Sequence, residues 1–154
     1  MNKDFVTYEQ ALAVKELGFD EPCLAGYDLN KSMYVSHVTI EDSQYYSSFE
    51  LKAPLNSQVF RWFRDIWFLD SEIYLQEELG HKFYHYLILQ LVRGNIEWKS
   101  KNTIKFKTYE DAENACIDKL IEIAKQQDNL NKCLACNEDK GNNELYCSFC
   151  RNQN

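Results

Sequence analysis

The sequence predicts an α+β body, an antiparallel sheet packed with about three helices, followed by a small four-cysteine zinc module. Three observations lead there. Three segments carry helical periodicity with recognisable ends. The stretches between them are β-rich and joined by short links. The chain then closes on two Cys-x-x-Cys pairs, Cys133/Cys136 and Cys147/Cys150, with ten residues between them. A chain of 154 residues is one domain with an appendage at most. The division expected is a globular domain over 1–128 and a zinc-knuckle or ribbon module over 129–154.

The first helix is expected over 7–18. Thr7 is an N-cap, and Gln10 completes a capping box three residues on. Glu9 lies in the first turn, where the helix dipole favours an anion. Gly18 suits a left-handed residue past the end, with Phe19 folding back on Val14. Asp20-Glu21-Pro22 then stops the helix.

Residues 23–52 contain CLAGYD, MYVSHVTI and SFELK, β-rich pieces parted by Asn30-Lys31 and Ser43-Gln44. Pro54 suits the first turn of a second helix, over 54–68. At ~100° per residue, Leu55, Val59, Trp62, Phe63 and Ile66 share one face, which Phe60 and Trp67 widen to roughly 160°. A face that wide packs into two neighbours or leaves an aromatic edge exposed. Phe60 and Trp67 are therefore candidate partner contacts, against the plainer reading of both as core.

Strand character returns over 72–107, as EIYLQEEL, KFYHYLILQLV, IEWKS and TIKFK, with turns at Gly80 and at Gly94-Asn95. The short links favour antiparallel meander pairing within one sheet. Thr108 caps the third helix, expected over 108–127, with Glu110 and Asp111 in its first turn. Tyr109, Ala112, Cys116, Leu120 and Ile123 recur at helical spacing. Gln126-Gln127-Asp128-Asn129 reads as a linker. FVTYEQA at 5–11 echoes FKTYEDA at 106–112, and the echo is short enough to be one local solution used twice: a strand end, a Thr cap and an aromatic first helical residue.

The cysteine tail carries the clearest chemistry. Four thiolates at this spacing can surround one zinc ion at ~2.3 Å, and a full shell leaves no open position for water. The zinc (Zn2+) is therefore expected to be structural. Such sites bind with about 10 kcal/mol or more at neutral pH, enough to fold a module with little core. An iron centre of the same geometry and redox dithiols are the alternatives. Lys132, Lys140 and Arg151 balance Glu138, Asp139 and Glu144, and zinc with four thiolates adds about two negative charges. A phosphate-binding finger would be basic. Phe149, between two ligands, is instead the residue expected at a protein contact.

Other candidates read as structural. His81 and His85 on a strand are roughly 13 Å apart, too far for one metal. They and His37 read as packed or surface residues. Cys116 lies on a helical stripe and reads as core, whereas Cys23 follows a proline and is expected at the surface without a basic neighbour to activate it. No Gly-rich phosphate loop and no Ser-His-Asp or Cys-His arrangement can be assembled, so no catalytic residue is assigned and enzyme activity is not expected. A net charge of −7 disfavours nucleic acid, which an acidic surface repels. No window approaches the ~18 apolar residues of a membrane span. No secretion signal is legible, so a reducing cytoplasm is expected.

TYEQALAVKELGFDEPC, APLNSQVFRWFR and FKTYEDAENACIDKLIEI, in this order, resemble the signature patches of small proteins from phages and prophages of gut Bacteroidetes. The resemblance covers roughly residues 5–125. It implies phage origin and a bacterial host cytoplasm, and it transfers no functional residue. The cysteine tail departs from that pattern. The functional expectation is a non-enzymatic, phage-encoded binding protein that contacts a host or phage protein and inhibits a host factor or defence system. The alternative is a nucleic-acid-associated regulator that uses its zinc ribbon.

The metal reading makes a direct prediction. Cys147→Ala releases zinc, measured as metal content per chain, and broadens the NMR signals of residues 131–154 only. Loss of the whole folded spectrum would instead show that the tail is integral to the core.

Overall fold

Among the described residues the chain twice lays down one helix and then three strands, and a third helix follows. The computed structural model describes residues 3–40, 50–92, 95–101 and 103–131. The elements are α1 (Tyr8–Glu16), β1 (Cys23–Tyr27), β2 (Met33–Ile40), β3 (Leu51–Ala53), α2 (Asn56–Trp67), β4 (Leu69–Glu78), β5 (His81–Val92), β6 (Asn95–Lys101) and α3 (Tyr109–Asn131). Two compact units divide the chain, Met1–Ile121 and Glu122–Asn154. The described part of the second unit is the end of α3, where Gln126 Nε2 donates to Glu122 Oε1 at 3.1 Å. α3 thus continues through the polar stretch 126–129 that reads as a linker in the sequence.

The α+β class is as expected, but the strands form two antiparallel three-stranded sheets and not one. Their orders are β2-β1-β3 and β4-β5-β6. α2 intervenes between β3 and β4, and the chain starts a new sheet after it. The helix–strand–strand–strand order repeats while the topology does not: the first strand is central in one sheet and the second in the other.

Local chemistry sets the ends of α1. Gln10 N–H donates to Thr7 Oγ1 at 3.2 Å and Thr7 N–H to Gln10 Oε1 at 3.0 Å, a complete capping box. At the other end Phe19 N–H reaches Val14 O at 2.9 Å and Gly18 N–H reaches Lys15 O at 3.0 Å. That is a Schellman closure, with Gly18 at φ 97°. The β1–β2 turn is an Asx turn: Asp28 Oδ1 accepts from Asn30 N–H at 2.8 Å and Ser32 N–H at 2.9 Å. Leu79 and Gly80, at φ 50° and 79°, make the tight β4–β5 turn that two left-handed residues favour.

α2 begins two residues later than Pro54 suggests. Pro54 is buried before the helix, and its carbonyl accepts from Val6 N–H at 3.1 Å. Asn56 N–H donates to Asp4 O at 2.8 Å, so the N-terminal segment pairs with the helix entry. Val59, Trp62 and Phe63 are buried, and Trp62 meets Phe19, Phe63 and Trp67 edge-on at 5.5, 5.0 and 6.3 Å. Ile66, placed on the buried face by periodicity, is 59% exposed because the core ends one turn before the helix does.

TIKFK is not a strand: its backbone meets the sheet at Phe106, as an isolated bridge to Tyr84, while the Lys105 side chain pairs with Glu78. β6 ends at Lys101 opposite Leu87, and the chain meets the same edge of β5 again at Tyr84. This completes the echo between 5–11 and 106–112. Phe5 and Phe106 each form an isolated bridge, to Leu55 and Tyr84. Thr108 Oγ1 accepts from Asp111 N–H at 3.1 Å, as Thr7 Oγ1 does from Gln10. Tyr8 and Tyr109 then each pack edge-on against a strand tyrosine, Tyr27 at 5.4 Å and Tyr84 at 5.9 Å.

Two buried amides join the helices. Gln10 Nε2 donates to Asp118 Oδ1 at 2.8 Å and to Asn114 O at 3.2 Å on α3. Asn56 Nδ2 donates to Glu113 Oε2 at 2.7 Å and to Lys3 O at 3.0 Å. Truncating Gln10 orphans a cap donor and removes a tertiary tie at once. In urea unfolding, Gln10→Ala is expected to cost about 2–3 kcal/mol, whereas Thr7→Ala costs about 1 kcal/mol. Equal losses would show that Gln10 acts only as a cap.

Candidate functional site

The site grows from the end of α2. Its inward residues stop at Phe63, its outward stripe carries Arg61 and Arg64, and Phe68 caps it. No glycine stands at that cap, so Phe68 itself takes the left-handed conformation, φ 55° and ψ 30°, with its N–H on Phe63 O. A non-glycine residue there stores about 1 kcal/mol. The turn sends the ring outward, 58% exposed. Ile66 on α2 and Ile96 on β6 are also exposed, 59% and 67%. Phe68 and Ile96 line a cavity of about 290 Å³ with Leu89, Gln90, Arg64 and Asp70.

A second cavity, of about 250 Å³, lies between α2, β4 and the start of α3. Ser57, Phe60, Arg61, Arg64, Ser71, Ile73, Tyr109 and Glu113 line it. Arg64 borders both cavities. Arg61 is paired with Glu21. Arg64 Nε stands 3.7 Å from Asp65 Oδ1, too long for a hydrogen bond. Burial raises the Glu113 pKa above the usual carboxylate value; the hydrogen bond from Asn56 opposes this, and Glu110 and Asp4 add to it.

Phe60 is half-buried in the wall of the polar cavity. Trp67 is half-buried against Trp62, and its indole Nε1 is buried without a hydrogen-bond partner. Sequence reasoning brings neither Phe68 nor Ile96 forward. The available signal was the missing glycine after α2, since a helix that turns without one must force an ordinary residue into the left-handed region. Cys133, Cys136, Cys147, Cys150 and Phe149 lie outside the described residues. Among the described residues no group of three or more His, Cys, Asp or Glu is placed to hold a metal.

Cys116 is buried as its stripe predicts. Cys23 is buried as well, contrary to the surface position expected: it pairs with Ile40 across β1–β2 and its Sγ–H donates to Glu21 O at 3.4 Å. His81 and His85 sit four residues apart on β5, where one metal cannot bridge them. His85 is buried and stacked on Tyr74 at 5.6 Å. Neither of these two cavities is lined by a histidine or cysteine. No described helix is long and apolar enough to cross a membrane.

Comparison of the chain with protein families, with curated proteins and with solved structures gives no match.

Burial pushes the thiol of Cys23 up to about 11 and that of Cys116 up to about 12. Brief alkylation at pH 8 should therefore leave both unmodified in the native protein and label both in urea, read by peptide mass mapping. Both pKa values are raised on folding, so the unfolded thiols ionise first. The thermal midpoint should then fall as the pH rises above the ordinary thiol value of 9.0. Rapid native labelling of either residue would contradict its burial.

Proposed function

We propose that this is a phage-encoded binding protein that acts by protein–protein contact, with a host factor or a defence system as its target. The observation that carries the reading is Phe68: a strained, left-handed aromatic held out at the end of a helix, beside an apolar cavity with Arg64 and Asp70 on its rim. An aromatic anchor with apolar neighbours and a charged border is the composition of an interface centre. Glycine or asparagine at position 68 would relax the backbone, so the chain keeps the ring there at a cost in stability.

Leu79 supports the same reading. It too is left-handed, at φ 50°, and it is fully exposed at the β4–β5 turn. β4 separates the two residues by about 37 Å at ~3.4 Å per residue. A partner spanning both would bury an interface of ordinary size, roughly 800 Å² per side. The resemblance of the three sequence patches supplies the phage origin and the bacterial cytoplasm. The zinc tail, with its closed shell and neutral composition, is assigned to structure.

The decisive variant is Phe68→Gly, which removes the ring and relieves the backbone. Its stability should stay within about 1 kcal/mol of the wild type. Capture of partner protein from host lysate should fall at least tenfold, while a variant lacking residues 132–154 retains capture. Equal capture by Phe68→Gly would remove this surface from the proposal. Captured material that is sensitive to nuclease and to salt would replace the reading with the nucleic-acid regulator.

A further inference from the structure

We propose that the cleft between α2, β4 and α3 is a second binding site, for the oxyanion of a small ligand, a carboxylate or a phosphate. The proposal does not depend on the apolar surface around Phe68.

Three regular repeats build the walls. Ser57, Arg61 and Arg64 stand at i, i+4 and i+7 on α2 and so share one stripe. Ser71 and Ile73 alternate on β4 and face the same side. Tyr109 and Glu113, one turn apart at the start of α3, form the opposite wall. The cavity holds about 250 Å³, just below the range of drug-sized sites and suited to a small anion.

The lining decides the sign of the ligand. Two of the chain's four arginines are here, in a protein whose net charge is −7. Against them stands one lining carboxylate, Glu113, whose Oε2 already accepts from Asn56 Nδ2 at 2.7 Å. Among the described residues the Ser57 and Tyr109 hydroxyls make no hydrogen bond, and the Arg64 guanidinium makes none either, its one ion-pair contact being Asp65 at 3.7 Å, which leaves its five N–H groups for a ligand. Arg61 gives one terminal nitrogen to Glu21, which leaves other N–H groups of its five. A cleft with this surplus of donors matches an acceptor-rich, anionic group, and guanidinium forks are the side chains that hold carboxylate and phosphate in two-point geometry. Phe60 and Ile73 supply apolar flanks that strengthen those bonds by lowering the local dielectric.

The test uses the full zinc-loaded chain and nitrogen-15 NMR. Inorganic phosphate and glutarate are titrated separately at constant ionic strength, with glycerol as the uncharged control. Saturating shifts are expected at Ser57, Arg61, Arg64 and Tyr109, with dissociation constants in the range of about 1–10 mM. Comparing the two anions shows whether the site takes phosphate or carboxylate. Arg64→Gln should weaken binding about tenfold or more. Arg64→Lys, which keeps the charge and loses the fork, should recover only part of it. Lys82→Gln on β5 should leave anion binding unchanged, with thermal unfolding monitored for every variant. Linear, unsaturated shifts up to about 20 mM of both anions would overturn the proposal. So would saturation that Arg64→Gln leaves intact in a folded protein.

Discussion

The body of this protein depends on two side-chain amides that reach from helix entries into α3. Gln10 and Asn56 are 4% and 2% exposed, and each occupies the first turn of its helix. Buried amides without partners are costly, so their polar ends seek bonds where they lie; of the four ends only Asn56 Oδ1 is buried without a partner among the described residues. Gln10 does this with both ends: its oxygen closes the α1 capping box, and its nitrogen donates to Asn114 and Asp118. Asn56 ties the N-terminal segment at Lys3 to Glu113. Hydrophobic contact brings the helices together without fixing how they slide. These directional bonds select one register between α1, α2 and α3, and the walls of the polar cleft follow from that register.

Much of this was legible in the sequence where local chemistry decides structure. Thr7 and Gln10, Gly18 with Phe19, and the turn at Gly80 all act as their residue types require. The repeated FxTYE pattern is likewise a local solution: bridge, cap, aromatic packed on a strand tyrosine. Sequence reading failed where a distant partner decides. Nothing local states that Ser57–Arg64 and Tyr109–Glu113 face one cleft. The division into two sheets follows from the path of α2, and hydrophobic alternation alone cannot tell one sheet from two. Cys23 was misplaced for the same reason. The proline before it suggests a surface, but its place in β1, paired with Ile40, buries it.

α2 concentrates these themes because its three faces do different work. Val59, Trp62 and Phe63 turn inward and anchor the helix through the aromatic cluster. Arg61 and Arg64 line the polar cleft. At the C-terminus the core has ended but the chain stays apolar, so Ile66 and Phe68 emerge into solvent. A glycine at the cap would close the helix with less strain and remove the ring. With phenylalanine there, the end of the most strongly amphipathic described helix is also the most exposed aromatic among the described residues.

Local strain of this kind persists only where the surrounding structure over-determines it. Around Phe68 that support is visible on both sides. Phe63, fully buried, accepts the cap hydrogen bond, and Leu69, fully buried, starts β4 directly after it. One residue must therefore reverse the chain between two fixed points, and the left-handed conformation is the one that does so in a single step. The backbone at 68 is set by its neighbours, whereas the side chain is free to vary. A large apolar group at such a position contributes little to folding, because more than half of it remains in water. At about 25 cal/mol per Å², a phenylalanine ring carries enough apolar surface for its full burial to outweigh the backbone strain of about 1 kcal/mol.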